Sequence, residues 1–102
     1  MKLSKEQETR LTNEMLDLLA DARLLGREGL RRVEIQRHLG GELSLSQIAR
    51  LLRRSGRASV RSVNYHNVWS LAPDELLARF SDGSQLYRMK AEARERMKGD
   101  AA

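Results

Sequence analysis

Apolar residues recur at helical intervals along the first quarter of the chain. Leu11, Met15, Leu18, Ala22 and Leu25 are spaced four, three, four and three residues apart, the repeat that places side chains on one face of a helix. Ser4 followed by Gln7 has the form of a capping box, and Glu6 and Glu8 suit the positive end of a helix dipole. The pattern predicts a first helix over residues 4–25. Leu16, Leu19 and Leu24 widen its apolar seam beyond the need of one small core. The seam either covers its own domain or zips against a second copy, with Leu11, Met15, Leu18, Ala22 and Leu25 as the candidate dimer interface.

Gly26 and Gly29 then break the pattern. A second helix is expected from about residue 30 to 39, with Leu30, Val33 and Ile35 facing inward and Gly40-Gly41 ending it. His38 falls in its last turn, suited to the carbonyl end of the helix and poorly placed as a metal ligand. Ser44 with Gln47 forms another capping box, followed by a stripe of Leu45, Ile48, Ala49 and Leu52. This helix is expected to end near Arg54, at the turn Ser55-Gly56-Arg57. Ser59 can cap a further helix over residues 59–71. Its inner side would carry Val60, Val63, Val68 and Leu71, with Asn64 and Asn67 beside them. Arg61, Ser62, Tyr65 and Trp69 would lie on the other side, bordered by His66. Two short helices joined by a tight turn with glycine make a helix-turn-helix unit.

Charge sharpens this division. The 102 residues carry a net charge of +5, and all of the excess lies in the middle. Residues 1–30 hold five Lys/Arg against six Asp/Glu, residues 31–72 eight against two, and residues 73–102 six of each. Between Glu42 and Asp74 there is no carboxylate, while Arg50, Arg53, Arg54, Arg57 and Arg61 fall within twelve positions. A solvated helix face ordinarily mixes signs through i,i+4 pairs. An acid-free basic stretch is the footprint expected where phosphates dock. Arginine outnumbers lysine fifteen to four, and its planar fork suits phosphate and guanine.

The segment LSLSQIARLLRRSGRASVRSV resembles the paired helices of helix-turn-helix transcriptional regulators. In that resemblance residues 44–54 form the supporting helix and residues 59–71 the recognition helix that enters the major groove. The following stretch, LLARFSDGSQLYRM, resembles the wing of the winged helix-turn-helix family. Its strands would be 76–80 and 85–89, its tip Asp82-Gly83, and Glu42-Leu43 a third short strand. The resemblance covers about residues 30–90 and implies a mainly α, winged helix-turn-helix fold with a small β-hairpin wing. Flanking helices at the N-terminus and over residues 90–98 complete a single domain. The same stretch also reads as helix. Pro73-Asp74-Glu75 is a good helix start, and Leu86, Met89, Ala93 and Met97 share one helical face. The alternative is then an all-α helix-turn-helix protein without a wing.

The expected function is sequence-specific binding of double-stranded DNA by a transcriptional regulator, with repression by occupancy as the simplest outcome and a homodimer as its form. The candidate DNA contacts are Arg50, Arg53, Arg54, Arg57, Ser59, Arg61, Ser62, Tyr65 and His66, with Arg79 and Arg88 from the wing. Tyr65 is expected to touch phosphate or base, and Trp69 to pack beneath a neighbouring element. Rival readings are a protein-interaction module anchored by Trp69 and Tyr65, and RNA binding by the same basic face. The absence of cysteine excludes disulfides and thiolate metal sites. No phosphate loop, paired metal ligands or nucleophile motif is present, so neither an enzyme nor a cofactor is expected. No apolar run approaches a membrane span, and a cytoplasmic protein is expected.

Overall fold

The computed structural model describes residues 3–80 and 86–98 of the chain, with side chains of residues 89–97 in its last helix. Helix α1 spans Lys5–Leu24, α2 Arg32–His38 and α3 Leu45–Ser55. Strands β1 (Ala58–Val63) and β2 (His66–Leu71) follow, then α4 (Pro73–Phe80) and α5 (Leu86–Lys98). The described chain is thus mainly helical with one two-stranded antiparallel hairpin.

The helix starts follow from their caps. Ser4 Oγ accepts from the Gln7 backbone N–H, and Gln7 Oε1 accepts in return from the Ser4 N–H. Ser44 and Gln47 repeat the exchange at α3, at 3.1 and 2.9 Å, each box satisfying two backbone donors that a helix end leaves open. Gly56 ends α3 in the left-handed conformation at φ 67°, a backbone shape in which a Cβ is penalised. Helix α2 begins two residues later than expected. Leu30 is buried but belongs to an extended bridge, and Val33 is 44 % exposed because the inward face of α2 runs through Ile35 and Leu39 instead.

Residues 59–71 are not a helix. They belong to the hairpin, whose register pairs Ala58 with Leu71, Val60 with Trp69 and Val63 with His66. Asn64 and Tyr65 form the two-residue connection, both at positive φ, 50° and 68°, as a type I′ hairpin turn requires. Valines at 60, 63 and 68 favour the pleated surface. The expected strands at 76–80 and 85–89 are corrected as well. Residues 76–80 lie in α4, and α5 takes up residues 86–89. Asp82, Gly83 and Gln85 lie outside the described residues. The all-α alternative fails on the hairpin itself, although its reading of Pro73 as a helix start holds.

The third strand position is filled not by Glu42-Leu43 but by Leu30. Its N–H donates to the Trp69 carbonyl and its carbonyl accepts from the Trp69 N–H, both at 2.8 Å. That approach is close enough to demand glycine at the preceding residue. A Cβ on Gly29 would sit 2.2 Å from the Trp69 carbonyl oxygen.

One apolar cluster joins these elements. Leu11, Met15, Leu16, Leu19, Ala20 and Ala22 of α1 meet Leu30, Ile35, Leu39, Leu43, Ile48, Leu51, Leu52, Trp69 and Leu71. The domain therefore covers most of the α1 seam itself. Leu11, Met15 and Ala22 are buried in its core, while Leu18 packs half-buried at the margin and Leu25 caps the helix end half-buried. Helix α5 closes over α1 through Ala93 and a bidentate ion pair, with Arg96 donating to both oxygens of the buried Asp21 at 2.7 and 2.6 Å. Helix α4 packs Leu76 and Phe80 against the margin of this cluster and is fastened by charge. Arg57 donates to both oxygens of Glu75 at 3.0 and 2.6 Å, and Arg79 bridges Glu75 and Asp17. These hydrogen bonds, first from Arg57 and then from Arg79, hold the Glu75 carboxyl down at about 2.

Candidate nucleic-acid interface

Helix α3 presents two chemically distinct faces. Ile48, Leu51 and Leu52 are buried. Opposite them Ser46, Arg50 and Arg53 stand at i, i+4 and i+7, all exposed, and those spacings align side chains along one side of a helix. The burial of one face is what aims the other outward. Arg50 has no carboxylate partner among the described residues. Arg53 lies over the Trp69 ring, its guanidinium carbon 5.8 Å from the centroid, which steadies the long side chain by a cation–π contact.

Two flanks border this stripe. On one, Arg54 donates to Glu8 of α1 at 3.2 Å. On the other stands the hairpin, where Arg61 pairs with Glu28 of the α1–α2 connection at 2.7 Å, both groups mostly in solvent. Exposed pairs of this kind are worth little and exchange readily, so Arg54 and Arg61 remain open to a stronger anion. Arg57 is differently placed, since its guanidinium is consumed by Glu75 at the base of the hairpin. Ser59 faces Ser70 across the strands, its Oγ 3.4 Å away. Ser62, Tyr65 and His66 cluster at the exposed tip.

Beyond the tip, Arg31, Arg32, Val33, Leu45, Tyr65, His66 and Asn67 line a groove of about 380 Å³ between the hairpin and the first turns of α2 and α3. Arg31 also caps α2 together with Glu34, whose Oε1 accepts from the Arg31 N–H at 3.1 Å. Burial raises the Glu34 pKa, but that bond and the one from Arg27 outweigh it, so the carboxyl is shifted down and stays charged. Of the sequence candidates, Arg50, Arg53 and Arg54 lie on α3, while Arg61, Ser62, Tyr65 and His66 lie on the hairpin, Ser62 on the face that carries Trp69 and Arg61 on the opposite one. Arg79 does not join them, being tied to Asp17 and Glu75 on α4 and α1. The Arg88 side chain lies outside the described residues. Ser46, Arg31 and Arg32 were missed. The capping box at Ser44 was a signal for Ser46, because it fixes the phase of α3 and hence its outward face.

Trp69 does pack, as expected, buried at the joint of β2, Leu30 and α3. Its Nε1–H is buried without a hydrogen-bond partner among the described residues. Among those residues no group of His, Asp or Glu could hold a metal ion, and no helix is long and apolar enough to cross a membrane. Compared with protein-family models, curated proteins and solved structures, the chain matches none.

Proposed function

We propose that the chain is a winged helix-turn-helix protein that binds double-stranded DNA, with α2 and α3 as the helix-turn-helix and the β1–β2 hairpin as its wing. The observation that carries this reading is the outward stripe Ser46, Arg50 and Arg53 on a helix whose other face is entirely committed to the core. A major groove admits a helix presented in this way. Arg50 and Arg53 are suited to guanine edges or phosphates, and Ser46 to either. Arg54 at the end of α3, with Arg61, Ser62 and His66 of the hairpin, supplies backbone contacts, and the wing follows the DNA beside the reader helix. This moves the reading element from residues 59–71 to residues 45–55, while most of the basic residues in the footprint are retained.

Regulation by occupancy is the simplest role for a domain that meets DNA in this way. One short helix spans few base pairs, so two copies on half-sites about 34–36 Å apart suit such a role. They would join through a surface other than Leu11, Met15 and Ala22, which the core has taken. Light scattering at micromolar concentration tests the dimer, and a monomer with and without DNA removes it.

The test of DNA binding is anisotropy of a labelled mixed-sequence duplex at about 50 and 200 mM salt, beside a matched single strand and a matched RNA duplex. Duplex DNA is expected to bind, with affinity falling steeply between the two salts as counterions are released. Preference for RNA or for the single strand overturns the reading, as does no binding at the lower salt.

A further inference from the structure

We infer that the groove between the wing tip and the first turn of α2 accepts a single unstacked nucleobase of a bound DNA, with Tyr65 as its stacking partner. This rests on the DNA-binding reading above and names a feature of the ligand that the reading leaves open.

The first observation is a residue that the fold does not use. Tyr65 occupies the second turn position at φ 68°, where a side chain is penalised and glycine is preferred. It is fully exposed, and it makes no hydrogen bond or ring contact among the described residues. Strain at a position that returns nothing to the core is the mark of a site kept for something else.

The second observation is the composition of the space beside it. The groove has an apolar wall of Val33 and Leu45, an amide at Asn67, an imidazole at His66 and two guanidinium groups at Arg31 and Arg32. No carboxylate is among these lining residues, and of the two guanidinium groups only that of Arg31 has one nearby among the described residues, Glu34 Oε1 at 3.7 Å from its Nε. Val33 is exposed although its helix has a buried face available, which leaves an apolar surface facing the groove. A flat apolar ring fits against Val33, Leu45 and the Tyr65 phenol. The Asn67 amide offers both a donor and an acceptor to the polar edge of such a ring. Arg31 and Arg32 meet an anion attached to it.

A nucleobase and its phosphodiester bring these three features together. A fully stacked duplex offers the phosphate but hides the ring face. A base freed by a bulge or an extruded nucleotide offers both, and stacking on an exposed aromatic is largely indifferent to which base it is. An acidic peptide with one aromatic side chain has the same three features, but it would meet the groove without the basic stripe of α3 taking part.

Two labelled duplexes of one sequence test the inference, one fully paired and one with a single extra unpaired 2-aminopurine near its centre. Binding is read by anisotropy and by the fluorescence of the unpaired base. The bulged duplex is expected to bind about five- to tenfold tighter, which the lower end of base–aromatic stacking supplies, with the fluorophore quenched on binding. Tyr65→Ala removes both the preference and the quenching, so that the bulged duplex binds no tighter than the paired one. Tyr65→Gly, which relieves the turn, keeps the fold and gives the same loss. Equal affinity for the two duplexes, or equal weakening of both by Tyr65→Ala, overturns the inference and leaves the DNA-binding reading intact. If neither duplex binds, both fall. In that case, binding of an acidic tyrosine-containing peptide that is lost in Arg32→Ala reassigns the groove to a protein partner.

Discussion

The base and the tip of the hairpin are built on opposite terms. At the base, Trp69 and Leu71 are buried, Leu30 adds two backbone hydrogen bonds, and the Arg57–Glu75 pair fastens the strand entry to α4. A few residues further out, on a left-handed backbone, Asn64 is exposed and Tyr65 is fully in solvent. One ribbon thus combines a rigid anchor with an unsupported end. Geometry specified at the base is delivered at the tip, so changes at the base should cost stability, while changes at the tip and on the outward face of α3 should leave it intact or raise it and act on the proposed binding instead.

The largest effect is expected from Gly29→Ala. The added Cβ meets the Trp69 carbonyl oxygen at 2.2 Å, and backbone cannot yield as a side-chain end can. The bridge must open, at a cost of ~3 kcal/mol, seen as a lower midpoint in denaturant unfolding followed by Trp69 fluorescence. Unchanged stability would mean that the Leu30 bridge contributes nothing to anchoring the hairpin.

Next is Arg50→Ala, at the centre of the outward stripe. Affinity for the preferred duplex is expected to fall by ~1–3 kcal/mol if Arg50 reads a base, with unfolding unchanged. An equal, smaller loss on every duplex would assign Arg50 to the backbone.

A smaller change is expected for Glu75→Gln, about 1 kcal/mol in stability, because Arg57 and Arg79 remain partly in solvent. Its pH dependence identifies it. The folded carboxyl lies at about 2 against an ordinary 4.5, so the bonds stabilise fully above about 4.5 and are lost as pH falls toward 2. The gap between the native protein and Glu75→Gln should be flat above that window and close within it. Thermal unfolding across pH checks this.

The smallest effect has the opposite sign. Tyr65→Gly should raise stability by up to ~1 kcal/mol by removing a side chain from positive φ, measured as a higher Tm. A fall in Tm would show that Tyr65 supports the hairpin after all.

The helical frame was legible because capping leaves its signature in sequence. Ser4 with Gln7, Ser44 with Gln47, and Pro73 each mark a start that the structure places within a residue. The hairpin was not, because the positions of Val60, Val63, Val68 and Leu71 fit a helical face as well as two short strands. Its turn also lacks the glycine that usually betrays a type I′ connection, Tyr65 standing in that place. The Asp82-Gly83 pair, a stronger hairpin signal by composition, drew the expected hairpin some twenty residues downstream of the observed one. The acid-free run of arginines did not depend on that reading, because it belongs to the sequence whatever secondary structure carries it. What the spacing could not convey was which arginines stay open to a ligand, since the partners of Arg57 and Arg79 come from distant helices.

The one-residue bridge at Leu30 also leaves the sheet asymmetric. It covers β2, while the outer edge of β1 has no strand beside it among the described residues. An open edge invites another chain to add itself, and proteins commonly discourage this with charge. Arg61 stands midway along β1 with serines at 59 and 62, so this open edge carries the charge and polar groups that discourage edge-to-edge pairing. Arg61→Val is then expected to lower solubility at high concentration, whatever the chain binds.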